Sequence, residues 1–168
     1  MKCLQLFLAV SFLALFTSCK ESLSTESSFG VEPKEVTDAG LSWYKIDDLD
    51  QMDLGDKKVM IDMYTSWCGW CKVMDKKTFT DPEVVNYLND NFVMVKFNAE
   101  RREPVSFQGE TYEWINAGRR GANKLALKLM SGRMAYPTMV YLDNELNTIK
   151  SSPGYKKPDQ LLQELQVL

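Results

Sequence analysis

The sequence predicts an α/β fold in which a central mixed sheet carries helices on both faces. Residues 59–64 form an apolar run with no polar face, as is typical of a central parallel strand. Residues 138–142 and 147–151 flank an Asp-Asn-Glu turn and predict an antiparallel pair. Residues 158–168 place leucines on one helical face and predict a closing amphipathic helix. A chain of 168 residues therefore suits one domain preceded by a leader.

Residues 1–18 predict an export signal. Lys2 supplies a positive start, and residues 4–16 are apolar but too short to span a bilayer comfortably. The small residues before Cys19 resemble a bacterial lipoprotein signal, in which that cysteine is lipidated and becomes the new N-terminus. The alternative is a plain secretory signal that is cut elsewhere. Either signal places the domain in the bacterial periplasm or cell envelope, where disulfides form and persist.

The lipidated N-terminus and a flexible tether are predicted over residues 19–40, because that stretch is rich in Ser, Thr and Glu and lacks apolar periodicity. The folded domain is predicted over residues 41–168. It should begin with a strand at 41–46, followed by a short helix at 47–54 that one of its two leading aspartates caps.

The elements after the first helices can also be read in order. Residues 80–83 resemble a capping box with a proline in the first turn, and they predict a helix that leads into a strand at 92–98. Residues 101–120 predict a small hairpin insertion around Gln108-Gly109-Glu110. Residues 122–130 then predict a helix.

Two cysteines separated by two residues lie at the predicted turn between strand 59–64 and the next helix. Cys68 falls at the helix N-terminus, where unpaired N–H groups and the helix dipole favour a thiolate. A thiolate is the nucleophile in disulfide exchange, so we expect Cys68 to be the exposed, attacking residue. Cys71, about one turn later, would attack the resulting mixed disulfide and release the product.

A structural disulfide or a zinc site is the alternative to redox chemistry. The chain has four cysteines and no histidine, and Cys3 and Cys19 belong to the leader. A structural zinc normally needs four Cys or His ligands, and a disulfide across so short a loop adds little stability. The pattern therefore favours a redox-active Cys68–Cys71 pair, with no metal and no other cofactor.

Asp62 interrupts the apolar strand before the cysteines. A carboxylate inside such a strand is costly to ionise, so its pKa should rise. We predict that Asp62 accepts the proton of Cys71, directly or through water. The alternative is a buried ion pair between Asp62 and Lys96, and the two roles can coexist if Lys96 tunes the acid.

Trp67-Cys68-Gly69-Trp70-Cys71-Lys72 resembles the active-site loop of the thioredoxin superfamily. Asp62 falls where thioredoxins carry a buried acid, and Lys96 matches a lysine on their next strand. Tyr136-Pro137-Thr138 resembles the cis-proline loop that faces the cysteines, and Gly154 fits a late glycine. The likeness implies a thioredoxin-like fold over 41–168 that departs from the superfamily between Ala99 and Gly121.

Residues 72–84 are similar to exported thioredoxin-like reductases, including the periplasmic domain of the transmembrane disulfide reductase. The resemblance implies a cis bond at Pro137, with the backbone of Tyr136 pairing with an extended substrate. It implies catalytic roles for Cys68, Cys71 and Asp62, supported by Trp67, Gly69, Trp70, Lys96, Tyr136 and Pro137.

The direction of the reaction follows from the residues between the cysteines. Gly69-Trp70 lacks the histidine that, by analogy with the superfamily, accompanies strong oxidants and isomerases. The Cys68 pKa should then lie near about 7 rather than about 3.5, with a reduction potential near about −270 mV. The prediction is a reductase of protein disulfides that receives electrons from a membrane donor, because the chain has no flavin or nucleotide motif. Alternatives are a disulfide oxidase or isomerase, and a non-catalytic binding module that uses the hairpin.

The partners expected are substrate proteins that contain disulfides, and the membrane through the lipid on Cys19. A net charge of −3 gives no indication of nucleic-acid binding.

Overall fold

The computed structural model describes residues 30–117 and 119–168. The predicted signal at 1–18 and the lipidation site Cys19 lie outside the described residues. Within them, no helix has the length and apolar character needed to cross a membrane.

The described residues contain ten strands, four α-helices and one 3₁₀ helix, Ile46–Gln51. The strands are β1 (Glu35–Val36), β2 (Ser42–Tyr44), β3 (Lys58–Tyr64), β4 (Phe92–Asn98), β5 (Val105–Phe107), β6 (Glu110–Tyr112), β7 (Trp114–Ile115), β8 (Ala122–Asn123), β9 (Thr138–Leu142) and β10 (Thr148–Pro153). The α-helices are α1 (Gly69–Lys77), α2 (Pro82–Asn91), α3 (Lys124–Leu129) and α4 (Pro158–Leu165).

The predicted mixed sheet is confirmed. Its six strands lie in the order β1-β2-β4-β3-β9-β10, with β4 parallel to β2 and β3 and with β9 antiparallel to β3 and β10. β3 is central because its apolar side chains are buried on both faces. Ile61 and Met63 pack with α3 and the 3₁₀ helix, whereas Met60 packs with α1, α2 and α4. Helices therefore cover both faces, as predicted.

Strand β1 lies inside the predicted tether, so the predicted start of the folded domain at residue 41 is too late. Glu35 and Val36 pair with Trp43 and Ser42 across a turn that contains Gly40. Backbone hydrogen bonds close this hairpin, including Lys34 N–H to the Trp43 carbonyl at 2.8 Å. A two-residue strand has no periodicity of its own and forms only because β2 offers it a partner.

Two helix starts differ from their predictions. The capping box predicted at 80–83 would place the cap at its first residue, but Asp81 caps α2, because its carboxylate accepts the N–H groups of Glu83 and Val84. The helix predicted at 47–54 is the shorter 3₁₀ helix, and Asp48 accepts the N–H of Lys45 at its start.

The predicted hairpin insertion is present as β5 and β6, which pair Val105 with Tyr112. Trp114 does not continue β6 but begins β7, which pairs with β8. For this reason α3 starts at Lys124 rather than at residue 122. Asn123 caps α3 by accepting the N–H of Leu125 at 2.9 Å.

Candidate active site

The cysteine pair lies where β3 passes into α1. β3 ends at Tyr64, a tight turn follows in which Cys68 N–H donates to the Thr65 carbonyl, and α1 begins at Gly69. Cys68 is thus at the N-terminus of α1, as predicted, and its Sγ accepts the N–H of Cys71 at 3.1 Å. The two cysteines form a disulfide. A donor aimed at Sγ stabilises negative charge there when the disulfide opens.

The expected exposure of Cys68 is wrong for the disulfide form. Cys68 is 4% exposed and Cys71 is 3% exposed, so accessibility does not distinguish them. The exposed surface of the loop belongs to Trp67 and Trp70, which are 49% and 62% exposed. Any preference for attack at Cys68 must therefore come from its position at the helix end.

Trp67 is held from three sides. Its indole N–H donates to both carboxylate oxygens of Glu100 at 3.0 Å. Its ring meets Tyr136 edge to face, with centroids 5.9 Å apart, and the Arg120 guanidinium lies over it at 5.0 Å. These contacts fix one wall of the surface around the disulfide.

Trp70 is the second exposed aromatic side chain of the motif. Its ring packs against Tyr155 with centroids 5.3 Å apart. Met134 is also exposed, two residues before Tyr136. Exposed aromatic and Met side chains around a reactive group are typical of a protein-binding surface.

The Tyr136–Pro137 peptide bond is cis, as predicted. Thr138 follows it and pairs with Met63 near the end of β3, so the proline loop lies at the same edge of the sheet as the cysteine loop. The Pro137 carbonyl accepts the N–H of Gly154 at 2.8 Å, which ties the loop to the end of β10. Burial, with the nearby charge of Glu100, raises the pKa of Tyr136 to about 12, so its hydroxyl stays protonated.

Asp62 is 1% exposed, and its Oδ1 has no hydrogen-bond partner among the residues described. Burial raises the pKa of this carboxyl from 3.8 to about 7; the Lys96 charge opposes the rise and the Asp75 charge adds to it. A pKa near neutrality is what a general base needs in order to take and return a proton at pH 7.

Lys96 does not form the ion pair with Asp62 that was considered as an alternative. Its ammonium is 2.6 Å from a carboxylate oxygen of Asp75 on α1, and it also lies 5.0 Å from the centroid of the Trp43 ring. Lys96 and Asp62 are register partners in β4 and β3, yet the lysine reaches Asp75 instead. Lys96 still lowers the pKa of Asp62 through its charge.

A cavity of about 210 Å³ lies beside Cys71. Thr65, Lys96 and Asp75 also line it. The two charged residues that shift the pKa of Asp62, Lys96 and Asp75, therefore border the cavity next to Cys71. At about 30 Å³ for each molecule, the cavity has room for several waters. The cavity therefore brings water to Cys71, whereas Asp62 is not among the residues that line it.

The sequence matches a family model over residues 21–164, Thioredox_DsbH, described as a protein of unknown function, DUF255. The chain belongs to this family. The thiol:disulfide interchange protein DsbD of Pectobacterium atrosepticum is 30% identical over 110 residues. That match includes 64% of this chain but 16% of the relative, so the Thioredox_DsbH chain spans about a sixth of the length of DsbD.

Solved structures confirm the thioredoxin-like fold of this Thioredox_DsbH domain. A thioredoxin from Thermus thermophilus has a TM-score of 0.54 at 20% identity, covering 76% of this chain and 85% of that one. A proposed disulphide-isomerase from Bacteroides thetaiotaomicron has the same TM-score at 24% identity, covering 76% and 92%. At these identities the likeness shows the fold alone.

Four residues that contact the motif or its neighbours in this structure were not predicted: Asp75, Glu100, Arg120 and Tyr155. Asp75 was the easiest of the four to predict, because it lies four residues after Cys71 and therefore on the same face of α1. The others contact the motif from distant parts of the chain, and no local pattern marks them.

The described residues hold no group of three or more His, Cys, Asp or Glu side chains that could bind a metal ion.

Proposed function

We propose that this protein is an exported thiol–disulfide oxidoreductase that reduces protein disulfides through Cys68 and Cys71. The observation that carries the proposal is the placement of Cys68 Sγ at the N-terminus of α1, where it accepts the Cys71 N–H. The family match and the likeness to a thiol:disulfide interchange protein support the same chemistry.

The reaction starts from the dithiol. The Cys68 thiolate attacks one sulfur of the substrate disulfide, the substrate S–S bond breaks, and one substrate thiolate leaves and takes a proton. Asp62 accepts the Cys71 proton, directly or through water. The Cys71 thiolate then attacks Cys68 Sγ and releases the second substrate thiolate. Two electrons have moved to the substrate, and the Cys68–Cys71 disulfide has formed.

A dithiol donor must return those two electrons before the next cycle. We propose a membrane protein in this role, because the sequence contains no flavin or nucleotide motif. The surface for both exchange partners is the apolar rim of Trp67, Trp70 and Tyr136 around the disulfide.

The reduction potential decides between a reductase and an oxidase. The motif has no histidine between its cysteines, so we expect a value near about −270 mV, the value for thioredoxin, rather than about −120 mV. Equilibration with dithiothreitol and glutathione buffers, followed by thiol alkylation and mass measurement, gives this number. A potential above about −150 mV would instead assign the protein to the oxidases.

The export signal and the lipid on Cys19 complete the proposal. Full-length protein expressed in a bacterial host should partition with the membrane fraction and carry fatty acid. Cys19→Ala should release it from membranes while the domain stays folded, because the substitution lies outside the Thioredox_DsbH domain. Mature wild-type protein without fatty acid would exclude the anchor.

A further inference from the structure

Unpaired cations lie near the cysteine pair, although the whole chain carries a net charge of −3. The Arg120 guanidinium lies over the Trp67 ring, and the neighbouring Arg119 is exposed. Lys72, in the first turn of α1, is exposed as well. In the part of the chain that the structure describes, none of these three cations has an ion-pair partner. Glu100, which contacts the same tryptophan, accepts the Trp67 indole N–H with both carboxylate oxygens.

Arg120 lies in the segment that contains strands β5 to β8. We call this segment, residues 101–117 and 119–123, the arm. Gly121 follows Arg120 with φ +72°, in the left-handed region. A Cβ at this position would lie 2.0 Å from the Trp114 ring, so only glycine fits there. The Gly121 N–H also donates to the Ala117 carbonyl at 3.0 Å. The backbone next to Arg120 is therefore tightly packed.

The arm is bonded to the strand that carries the cysteine loop. Ala99 N–H donates to the carbonyl of Tyr64, the last residue of β3, and Asn123 N–H donates to the Ala99 carbonyl, both at 2.9 Å. Asn123 is fully buried, and its side-chain amide donates to the Tyr112 carbonyl within the arm. These bonds attach the end of the arm at Asn123 to the strand before the cysteine loop, and Arg120 contacts that loop through its position over the Trp67 ring.

We propose that the arm selects substrates, with Arg120 binding a carboxylate on the protein segment that carries the disulfide to be reduced. A guanidinium stacked on an aromatic ring uses its face for the ring, and its peripheral N–H groups stay free for the two oxygens of a carboxylate. The inference rests on the proposed function and assigns it a substrate class: disulfides in acidic segments.

The test uses three disulfide peptides that differ only in the residue beside one cysteine, which is Glu, Gln or Lys. Wild-type kcat/KM should follow the order Glu, Gln, Lys. Arg120→Gln should lower the Glu-to-Gln ratio by about two- to fivefold, the range for one exposed ion pair. Arg120→Glu should reverse the order. Dividing by the rate on the Gln peptide cancels any general effect of altered Trp67 packing.

Lys77→Gln is the matched control. It removes one positive charge from an exposed position at the far end of α1, so it changes the net charge as Arg120→Gln does. We expect its Glu-to-Gln and Lys-to-Gln ratios of kcat/KM to equal those of the wild type. The preference for Glu should also weaken as NaCl is raised, because exposed ion pairs are screened.

Binding of the S-methylated peptides to the oxidised protein supplies a readout without turnover. Equal affinities for the Glu and Lys peptides, or an unchanged preference in Arg120→Gln, would refute the proposal that the arm selects acidic substrates. If all three peptides were still reduced in that case, the proposed function would stand. If none were reduced while the Glu peptide still bound best through Arg120, the proposed function would fail and the acidic preference would stand.

Discussion

Replacing Cys71 with serine should turn the protein into a trap for its substrates. Cys68 would still attack a substrate disulfide, but no second thiol would resolve the mixed disulfide. Incubation with an oxidised substrate protein should then give a covalent complex that disappears on addition of dithiothreitol. Turnover should fall by at least about 10³-fold, as expected when one member of a covalent relay is lost.

Cys68→Ser is the decisive comparison. It should lose turnover to the same extent, yet it should form no complex, because Cys71 lies inside α1 and lacks the helix-end stabilisation of Cys68. Ser66→Ala changes an exposed hydroxyl in the same loop and should behave like the wild type. Complexes formed by Cys68→Ser alone would reverse the assignment of the two cysteines.

Asp62→Asn should slow the release of substrate from the mixed disulfide by about 10²-fold near neutral pH, the usual effect of losing a general base. Because the pKa of Asp62 is raised to about 7, the wild-type release rate should climb about tenfold per pH unit below 7 and level off above it. In Asp62→Asn the release rate should not show this rise between pH 5 and pH 7. Rapid mixing of a preformed mixed disulfide between pH 5 and 9 measures both rates.

Asp75→Asn is the matched control for the general base. It removes a neighbouring carboxylate of the same size, which lines the cavity beside Cys71. The Asp75 charge raises the pKa of Asp62, and Asp75 also holds Lys96 away from it. We therefore expect the midpoint of the release profile to move to lower pH in Asp75→Asn, with the plateau rate retained. An unchanged release rate in Asp62→Asn would assign the proton to another acceptor.

Asp62 also links pH to the stability of the oxidised protein. Its pKa is raised in the folded state, so between about pH 4 and pH 7 the folded protein holds a proton that the unfolded chain has lost. The free energy of unfolding should fall as pH rises through this window and level off above 7.

Asp62→Asn should remove that slope and raise the free energy of unfolding by roughly 2–4 kcal/mol at pH 8. Lys96 keeps its partner Asp75, so the variant leaves no lysine stranded. Urea unfolding at pH 5 and pH 8 measures the difference.

Local sequence patterns were enough to predict the architecture and the centre of the site. An apolar run interrupted only by Asp62 predicted β3, and the cysteine motif after it placed Cys68 at a helix start. The same run made Asp62 conspicuous, because a carboxylate between buried apolar residues has little water and few hydrogen-bond partners around it. These features are local, since strand periodicity and helix ends depend on residues a few positions apart.

Which side chains contact one another depends on how the elements pack, and this could not be predicted from the sequence. Lys96 pairs with Asp75 rather than with its strand neighbour Asp62, and Arg120 reaches Trp67 from an insertion more than fifty residues away. The short strand β1 likewise exists only because β2 pairs with it. Such contacts depend on the packing of whole elements, on side-chain reach and on the competition among several charged partners. None of these produces a repeating pattern in the sequence, so the contacts cannot be predicted from any single segment of the chain.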